Sequence, residues 1–440
     1  APLFNPLYRG TFAVGAAVKQ YSFTFLVLAI GSSPPPRRIR VTGLFYCVRF
    51  TMVGCLSRLF WKLGLERIRC SVPAKTFTPS LLRTLLWMSI QHYSKYVNTK
   101  GKRYNVGVIG GGRIAEVHLP NILKSQRLDL QWVIEDNPSR VSVLKRMYFI
   151  QDMPFYTSSE LIKLLKDSSL DAVFILAPTK LHTEYICKSI QYGKSVFSEK
   201  PLGESVSDIK TCFDTAEKFG KVLLAGYKRR FDPDYRDVYD AVKTGALGDV
   251  HIIKTTTRDS PKPSYQFLKN ADSSRCNILA DLCVHDVDMI TWITGSAQPE
   301  SIYVNCHIND QQLKDSGEPD TVAVIIKYKH GVLATLDGSR DSIYGYDARL
   351  ELFGSKGMAQ TVHQREPGGI VDGAKGATLR RLHNSYPQRF ERAFEAEINH
   401  FVDCLDGLTT PLITKEESII TADIIEKGVQ SYNQRRVIYF

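Results

Sequence analysis

The sequence predicts an α/β fold in two parts, a doubly wound parallel sheet followed by an α+β domain on a largely antiparallel sheet. Three observations carry this. Between Tyr104 and Gly226 short apolar runs alternate with amphipathic helical patterns. After Tyr227 strand patterns follow one another with few helices between them. The first apolar run also leads straight into a glycine-rich turn and then a helix.

The first domain, 104–226, takes its strands from YNVGVI, Gln131 to Glu135, Ala172 to Ala177, Ser195 to Glu199 and Val222 to Gly226. Between them SSELIKLLKD and LHTEYICKSIQYG repeat apolar residues at three and four, the helical period. The second domain, 227–440, opens with KRRFDPDYRDVYDAVKTGALG, read as a charged helix. VHIIKTTT, TVAVIIKYKHG, VLATLD and ARLELFG then read as strands, and HQREPGGIVDGAKGATLRR as a loop near the site entrance or at an oligomer contact. FERAFEAEINHFVDCLDG and TKEESIITADIIEKGVQSYNQ close the chain as helices expected to pack back on the globule.

In GVIGGGRIAEVH, Gly110 allows a tight turn and Gly112 lets the backbone approach a pyrophosphate. The free N–H groups and positive end of the next helix then meet its charge. Arg113 and Ile114 lie in the same turn, and Ala115 is small enough for close helix–strand packing. An acidic residue is expected about 20 residues further on, and it comes slightly late as Glu135 followed by Asp136. Either could hold a ribose 2′-hydroxyl and repel a 2′-phosphate, which favours NAD over NADP, with Arg140 nearby as the opposing feature. This makes the first domain a Rossmann domain.

The triplet Glu199, Lys200 and Pro201 ends a later strand of that domain. In the second domain, NILADLCVHDVDMITWITG reads as one helix on which Asp281, His285 and Asp288 share a face. A helix this apolar is buried, so its polar stripe should line a cleft. Removal of a hydroxyl proton while hydride leaves the same carbon needs a base, and histidine suits it with a pKa of about 6.5. Asp281 would orient the ring, and Lys200 would stabilise the developing alkoxide. No second histidine or cysteine sits at metal-ligand spacing on this helix, so the site reads as metal-free.

These motifs resemble the Gfo/Idh/MocA oxidoreductases, over about Tyr104 to Ile438. VGVIGGGRIAEVHLPN is similar to the family's nucleotide turn, and APTKLHTEYICKSIQYGKSVFSEKP to its Pro-Thr-x-x-His loop and Glu-Lys-Pro. AGYKRRFDP, ILADLCVHDVDMITWITG and SIYGYDARLELFGSKGMAQ resemble inositol 2-dehydrogenases more narrowly. The resemblance implies Lys200, Asp281 and His285 as the catalytic trio over an open second sheet, with myo-inositol, another cyclic polyol or a sugar as substrate. It also implies cofactor contacts from Pro178, Thr179, His182 and Glu199, and polyol contacts from Arg230, Asp288 and Tyr344. Cys276-Asn277 stands where the family has Gly-Gly, and Thr257-Arg258-Asp259 lies where inositol enzymes vary. The alternatives are a catalytically silent NAD-binding regulator of the same fold, or a relative reducing dihydrodiols or imines. A dimer or tetramer is expected, because an open apolar sheet face favours self-association.

Residues 1–103 hold 16 Lys/Arg against one acid, Glu66, and the remainder 41 basic against 44 acidic residues. The net charge of +12 is therefore local, and it gives the enzyme core no reason to bind nucleic acid. The segment begins with Ala and is Arg-rich and acid-poor. It reads first as translated non-coding sequence or a gene-model artefact outside the enzyme fold, with a mitochondrial presequence or membrane-surface association as the alternatives. No run reaches the roughly 20 apolar residues of a membrane helix. Nine cysteines without a Cys-x-x-Cys pair fit a reducing cytoplasm. Deletion of residues 1–102 should leave soluble expression, melting temperature and turnover intact. Loss of soluble protein would make the segment structural.

Overall fold

Strands covered on both faces are apolar along their whole length, and the N-terminal sheet is built from such strands. β1 (Tyr104–Ile109), β2 (Leu128–Ile134), β3 (Phe155–Tyr156), β4 (Ala172–Ile175), β5 (Ser195–Glu199) and β6 (Leu223–Gly226) pair in parallel in the order β3-β2-β1-β4-β5-β6. In this computed structural model residues 102–269, 276–368, 370–374 and 376–440 are described. The basic segment lies outside them, apart from Lys102 and Arg103. Helices α1 (Ala115–Lys124), α2 (Pro138–Tyr148), α3 (Leu161–Leu165), α4 (His182–Gln191) and α5 (Val206–Phe219) join the strands. The strand order reverses between β1 and β4, which opens a crevice at the carboxyl ends of these strands.

β6 runs into a 3₁₀ turn, Lys228–Phe231, and then α6 (Pro233–Lys243), whose first N–H groups donate to the Asp232 carboxylate. The second sheet has seven strands: β7 (Val250–Arg258), β8 (Pro299–His307), β9 (Thr321–Tyr328), β10 (Leu333–Ser339), β11 (Asp347–Gly354), β12 (Gly357–Gln360) and β15 (Ile438–Tyr439). Their order is β12-β11-β7-β10-β9-β8-β15, and only β7 and β10 run parallel. On β9, Val322, Val324 and Ile326 are buried and Ile325 between them is exposed, the alternation of a half-covered sheet. The covered face packs on α8 (Val284–Thr294) and α11 (Lys415–Gln434). Tyr303, Leu333, Phe353 and Met358 are exposed with Ile325.

Between these strands lie the short helices α7 (Tyr265–Lys269) and α9 (Tyr386–Arg389) and the longer α10 (Glu391–Leu405). The closing helices pack on elements of the first domain: α10 on α1 and on the 3₁₀ turn, and α11 on α5 as well as on α8. The segment read as a loop between 363 and 381 contains a small hairpin, β13 (Val371–Gly373) with β14 (Gly376–Thr378).

The 3₁₀ turn corrects one expectation. Lys228, Arg229 and Arg230 are not the start of the charged helix but form the turn before it, and all three are buried, at 6 %, 1 % and 0 % exposure. Each meets a different polar residue of α8. Lys228 Nζ lies 2.7 Å from His285 Nε2, and Arg229 Nη1 donates to Asp286 Oδ1 at 2.7 Å. Arg230 forks onto Asp288 at 2.7–3.1 Å and reaches Glu417 of α11 at 2.7 Å. Burial of the two guanidinium charges is tolerated because each is matched by a hydrogen-bonded carboxylate, and removal of one partner is then costly. Asp288→Ala should destabilise the protein by about 3–5 kcal/mol, read as a lower melting temperature, and leave NAD affinity unchanged. Unaltered stability with a raised KM for a polyol would return Asp288 to a substrate contact.

Candidate active site

The nucleotide end of the crevice is shaped by backbone that admits no side chain. Gly110 has φ 104°, and a Cβ there would lie 2.7 Å from Leu176 and Ala177 backbone atoms, so β1 and β4 can approach only with glycine at this point. Nothing lies within 4 Å of a Cβ built on Gly112, which leaves room over the start of α1. Glu135, one residue past β2, accepts from Gly111 N–H at 2.9 Å and Asn137 N–H at 2.8 Å, which fixes its carboxylate beside the turn. Asp136 accepts from Ser158 N–H at 2.7 Å. Arg140 donates to the Gly111 and Gly112 carbonyls at 2.6 and 3.1 Å and pairs with Glu116 at 2.6 Å, so its guanidinium is tied to the turn. Open space at Gly112, a helix N-terminus and a placed carboxylate fit a dinucleotide.

From this turn a cavity of about 740 Å³ runs between the two sheets. Arg113, Ile114, Pro178, Thr179, His182, Glu199 and Lys200 line it from the first domain, and Asp281 and His285 from the second. The His182 ring lies 2.7 Å from both the Ala177 and the Pro201 carbonyl oxygens. The neutral ring donates to one at a time, tying the end of β4 to the Glu-Lys-Pro segment.

The helix carrying Asp281 is not one continuous α-helix. Residues Ile278–Cys283 form a π-helical turn that passes into α8, a feature found often at functional sites. Its first N–H groups, of Asn277 and Ile278, donate to Glu318 at 3.2 and 2.9 Å. Cys276, two residues before it, has φ 46°, a left-handed conformation that favours glycine. Lys200 Nζ donates to both the Asp281 carbonyl, at 2.9 Å, and its Oδ1, at 3.2 Å. Arg340, one residue past β10, donates to Asp281 Oδ2 and Asp259 Oδ2, both at 3.1 Å. Burial raises the Asp281 carboxyl, but the charges of Lys200 and Arg340 outweigh it and hold the group well below the usual carboxylate range.

His285 is driven the other way. Burial first, then Lys228, Lys200 and Arg229, keep its pKa well below the ordinary value, so the ring is neutral. Lys228 itself is pushed down to about 7, by burial and then by Lys200 and Arg229, against the opposing pull of Glu199 and Glu397. Behind it, His118 Nε2 lies 2.7 Å from Glu199 Oε1. Glu397 is wholly buried with no hydrogen-bond partner, and burial with the Glu199 charge raises its carboxyl well above the ordinary range. His118, Glu199 and Glu397 bring potential ligand atoms within 4.8 Å of one another, the one such trio among the described residues.

The expected stripe therefore divides. Asp281 and His285 face the cavity, whereas Asp288 does not line it and is held with Arg230 in the buried ion pair. The helix is buried all round, so its polar residues go to whichever neighbour can match them. Tyr344 also lies off the cavity: its hydroxyl donates to Asp347 at 2.7 Å and accepts from Arg258 at 2.9 Å. Sequence reasoning missed Lys228, Arg340, Tyr346 and Tyr386, which do line it. The Tyr-Lys-Arg-Arg run was a signal for the first, since three consecutive cations straight after a buried strand cannot all reach solvent. Arg340 had no local signal.

Two family profiles match: "Oxidoreductase family, NAD-binding Rossmann fold" over residues 104–227 and "GFO/IDH/MocA C-terminal domain" over 235–360. Myo-inositol 2-dehydrogenase of Thermotoga maritima is 27 % identical over 333 residues, 76 % of this chain and 97 % of that one. The scyllo-inositol 2-dehydrogenase (NAD(+)) of Bacillus subtilis is 28 % identical over 333 residues, 75 % and 93 % of the two chains. Scyllo-inositol dehydrogenase from Lactobacillus casei, solved with NAD(H) and scyllo-inositol, superposes with a TM-score of 0.70 at 25 % identity, covering 77 % of this chain and 99 % of that one. With both of its domains matched in order and the glycine turn, Glu-Lys-Pro segment and π turn gathered on one cavity, the chain belongs to the Gfo/Idh/MocA family of NAD-binding oxidoreductases.

Proposed function

We propose that the protein is an NAD-dependent dehydrogenase that oxidises a secondary alcohol of a cyclic polyol or sugar, with inositol as the first candidate. The observation that carries this reading is the meeting of Lys200, from the end of β5, with Asp281 and His285, from the second domain, on a cavity that continues to the glycine turn. Bound NAD supplies the hydride acceptor. The Gly110–Gly112 turn and Glu135 hold its phosphates and adenosine ribose. Lys200 places a fixed cation where an alkoxide develops, and Asp281 holds that cation in place. His285, kept neutral, is ready to receive the hydroxyl proton.

The charges at the cavity favour a neutral, hydroxyl-rich substrate. Lys200 is matched by Asp281, and Arg340 by Asp259 and Asp281. A charged ligand would break these pairs, while hydroxyls exchange hydrogen bonds with them at little cost. The names of the inositol dehydrogenase relatives support the same class. The exposed apolar side chains on the second sheet support self-association through that face.

Nicotinamide absorbance with NAD and NADP against myo-inositol, scyllo-inositol, glucose and dihydrodiols should show NAD-linked turnover of a polyol. Tight NAD binding with no turnover of any of them would put the silent regulator in its place. Replacement of Glu135 and Asp136 by neutral residues should narrow the preference for NAD, and an unmodified protein already preferring NADP would contradict that reading. Lys200→Met should keep NAD binding and lower kcat by on the order of a hundredfold or more, the scale of losing one electrostatic stabiliser. Near-normal oxidation by Lys200→Met would remove Lys200 from the chemistry.

A further inference from the structure

Lys228 is a lysine that the family's catalytic trio does not use, yet it borders the same cavity. Its Nζ lies 2.7 Å from His285 Nε2 and 5.5–5.6 Å from the ring centres of Tyr386, Phe390 and Phe394. Rings at that distance shield the amine from water. The other ring nitrogen, His285 Nδ1, is enclosed and has no hydrogen-bond partner. Nε2 is thus the atom through which the ring can gain or lose a proton, and Lys228 already occupies that side.

We infer that Lys228 and His285 form one proton-accepting pair, in which a single proton shared between Nζ and Nε2 is the charge gained when the substrate hydroxyl is oxidised. The inference rests on the dehydrogenase reading and adds a residue to it. Before the reaction both groups are neutral. The O–H bond breaks and its electron pair becomes the second bond of the carbonyl, while the carbinol hydrogen leaves with its own pair as hydride to NAD. The proton goes to the pair, as Nζ–H⁺ donating to Nε2. Two positive charges at this separation in a buried site are excluded, so the pair accepts one proton and not two.

The groups facing the pair agree with this. Lys200 and Arg229 disfavour a positive charge there, Glu199 and Glu397 favour one, and the Tyr386 ring centre lies 5.5 Å from the amine. The balance leaves the amine titrating at about 7, where a lysine in water would be charged throughout the working range. A general base is most effective with its pKa close to working pH, so the pair is better poised than the depressed histidine alone.

The sign of the pH dependence follows. Oxidation needs the unprotonated pair, so kcat/KM should rise through a limb near pH 7 and level off above it. In Lys228→Met the ring stands alone, and the acid limb should move below the ordinary histidine value, with the plateau lowered on the order of tenfold or more. In Lys228→Arg the permanent cation should hold the ring neutral, losing the plateau as far or further. NAD binding and the melting curve serve as folding checks for both variants.

A second measurement needs no substrate. In protein labelled with ¹³C at lysine Cε, the signal lost in Lys228→Met belongs to Lys228, and its shift should titrate with a midpoint near pH 7. A midpoint above pH 9 would overturn the pair whatever the kinetics show. So would an unchanged pH profile and plateau in a folded, NAD-binding Lys228→Met protein. A midpoint near 7 in a protein that oxidises no polyol would uphold the pair and reject the substrate class, so the two readings fail separately.

Discussion

Three consecutive cations at the end of β6 are buried against one helix, and the rest of the site depends on how they are matched. Lys228, Arg229 and Arg230 project in three directions from a 3₁₀ turn and find His285, Asp286 and Asp288 on α8. The two arginine pairs behave as struts. Each sets a guanidinium against a buried carboxylate at 2.7 Å, and together they join the last strand of the first sheet to the helix under the second. The lysine–histidine contact differs because both partners are bases. It cannot be an ion pair, so the energy that locks the arginines in place is lacking at Lys228, and a titratable pair remains at the cavity.

Asp281 is set by a comparable convergence from distant parts of the chain. Lys200 approaches from β5, Arg340 from the end of β10, and Glu318 holds the N-terminal N–H groups of the π turn. The π turn also directs the Asp281 carbonyl to Lys200, so both the backbone and the side chain of one residue anchor the ammonium.

The elements legible in the sequence were those whose burial is uniform or strictly alternating. β4 and β5 are buried along their full length and β9 alternates, and these patterns need no knowledge of the partner. β3, two residues at the sheet edge, is too short to carry a period, and the nine-residue β8 was passed over. The glycine turn and the Glu-Lys-Pro segment were legible because local chain geometry makes them. Asp288 was misread because helical spacing says which residues share a face and not what that face meets. Lys228 and Arg340 were missed for a related reason, since their partners lie 57 and 59 residues away and only the packed fold brings them together.

That distance has a consequence for how stability and chemistry are linked. Lys200 comes from the end of one sheet, and the Asp281 carboxylate that it meets comes from beneath the other. Neither is placed alone: Lys200 is held by the carbonyl and carboxylate of Asp281, and Asp281 is held by Lys200 and Arg340. Docking of the two sheets and assembly of the site are therefore one event. The arginine struts shape the cavity without lining it, because they hold α8 where His285 meets Lys228 and where the preceding π turn brings Asp281 to Lys200. Evolution of a new substrate preference would then act most readily on residues that line the cavity without carrying this docking, such as Tyr346 and Tyr386, and least readily on the basic triplet.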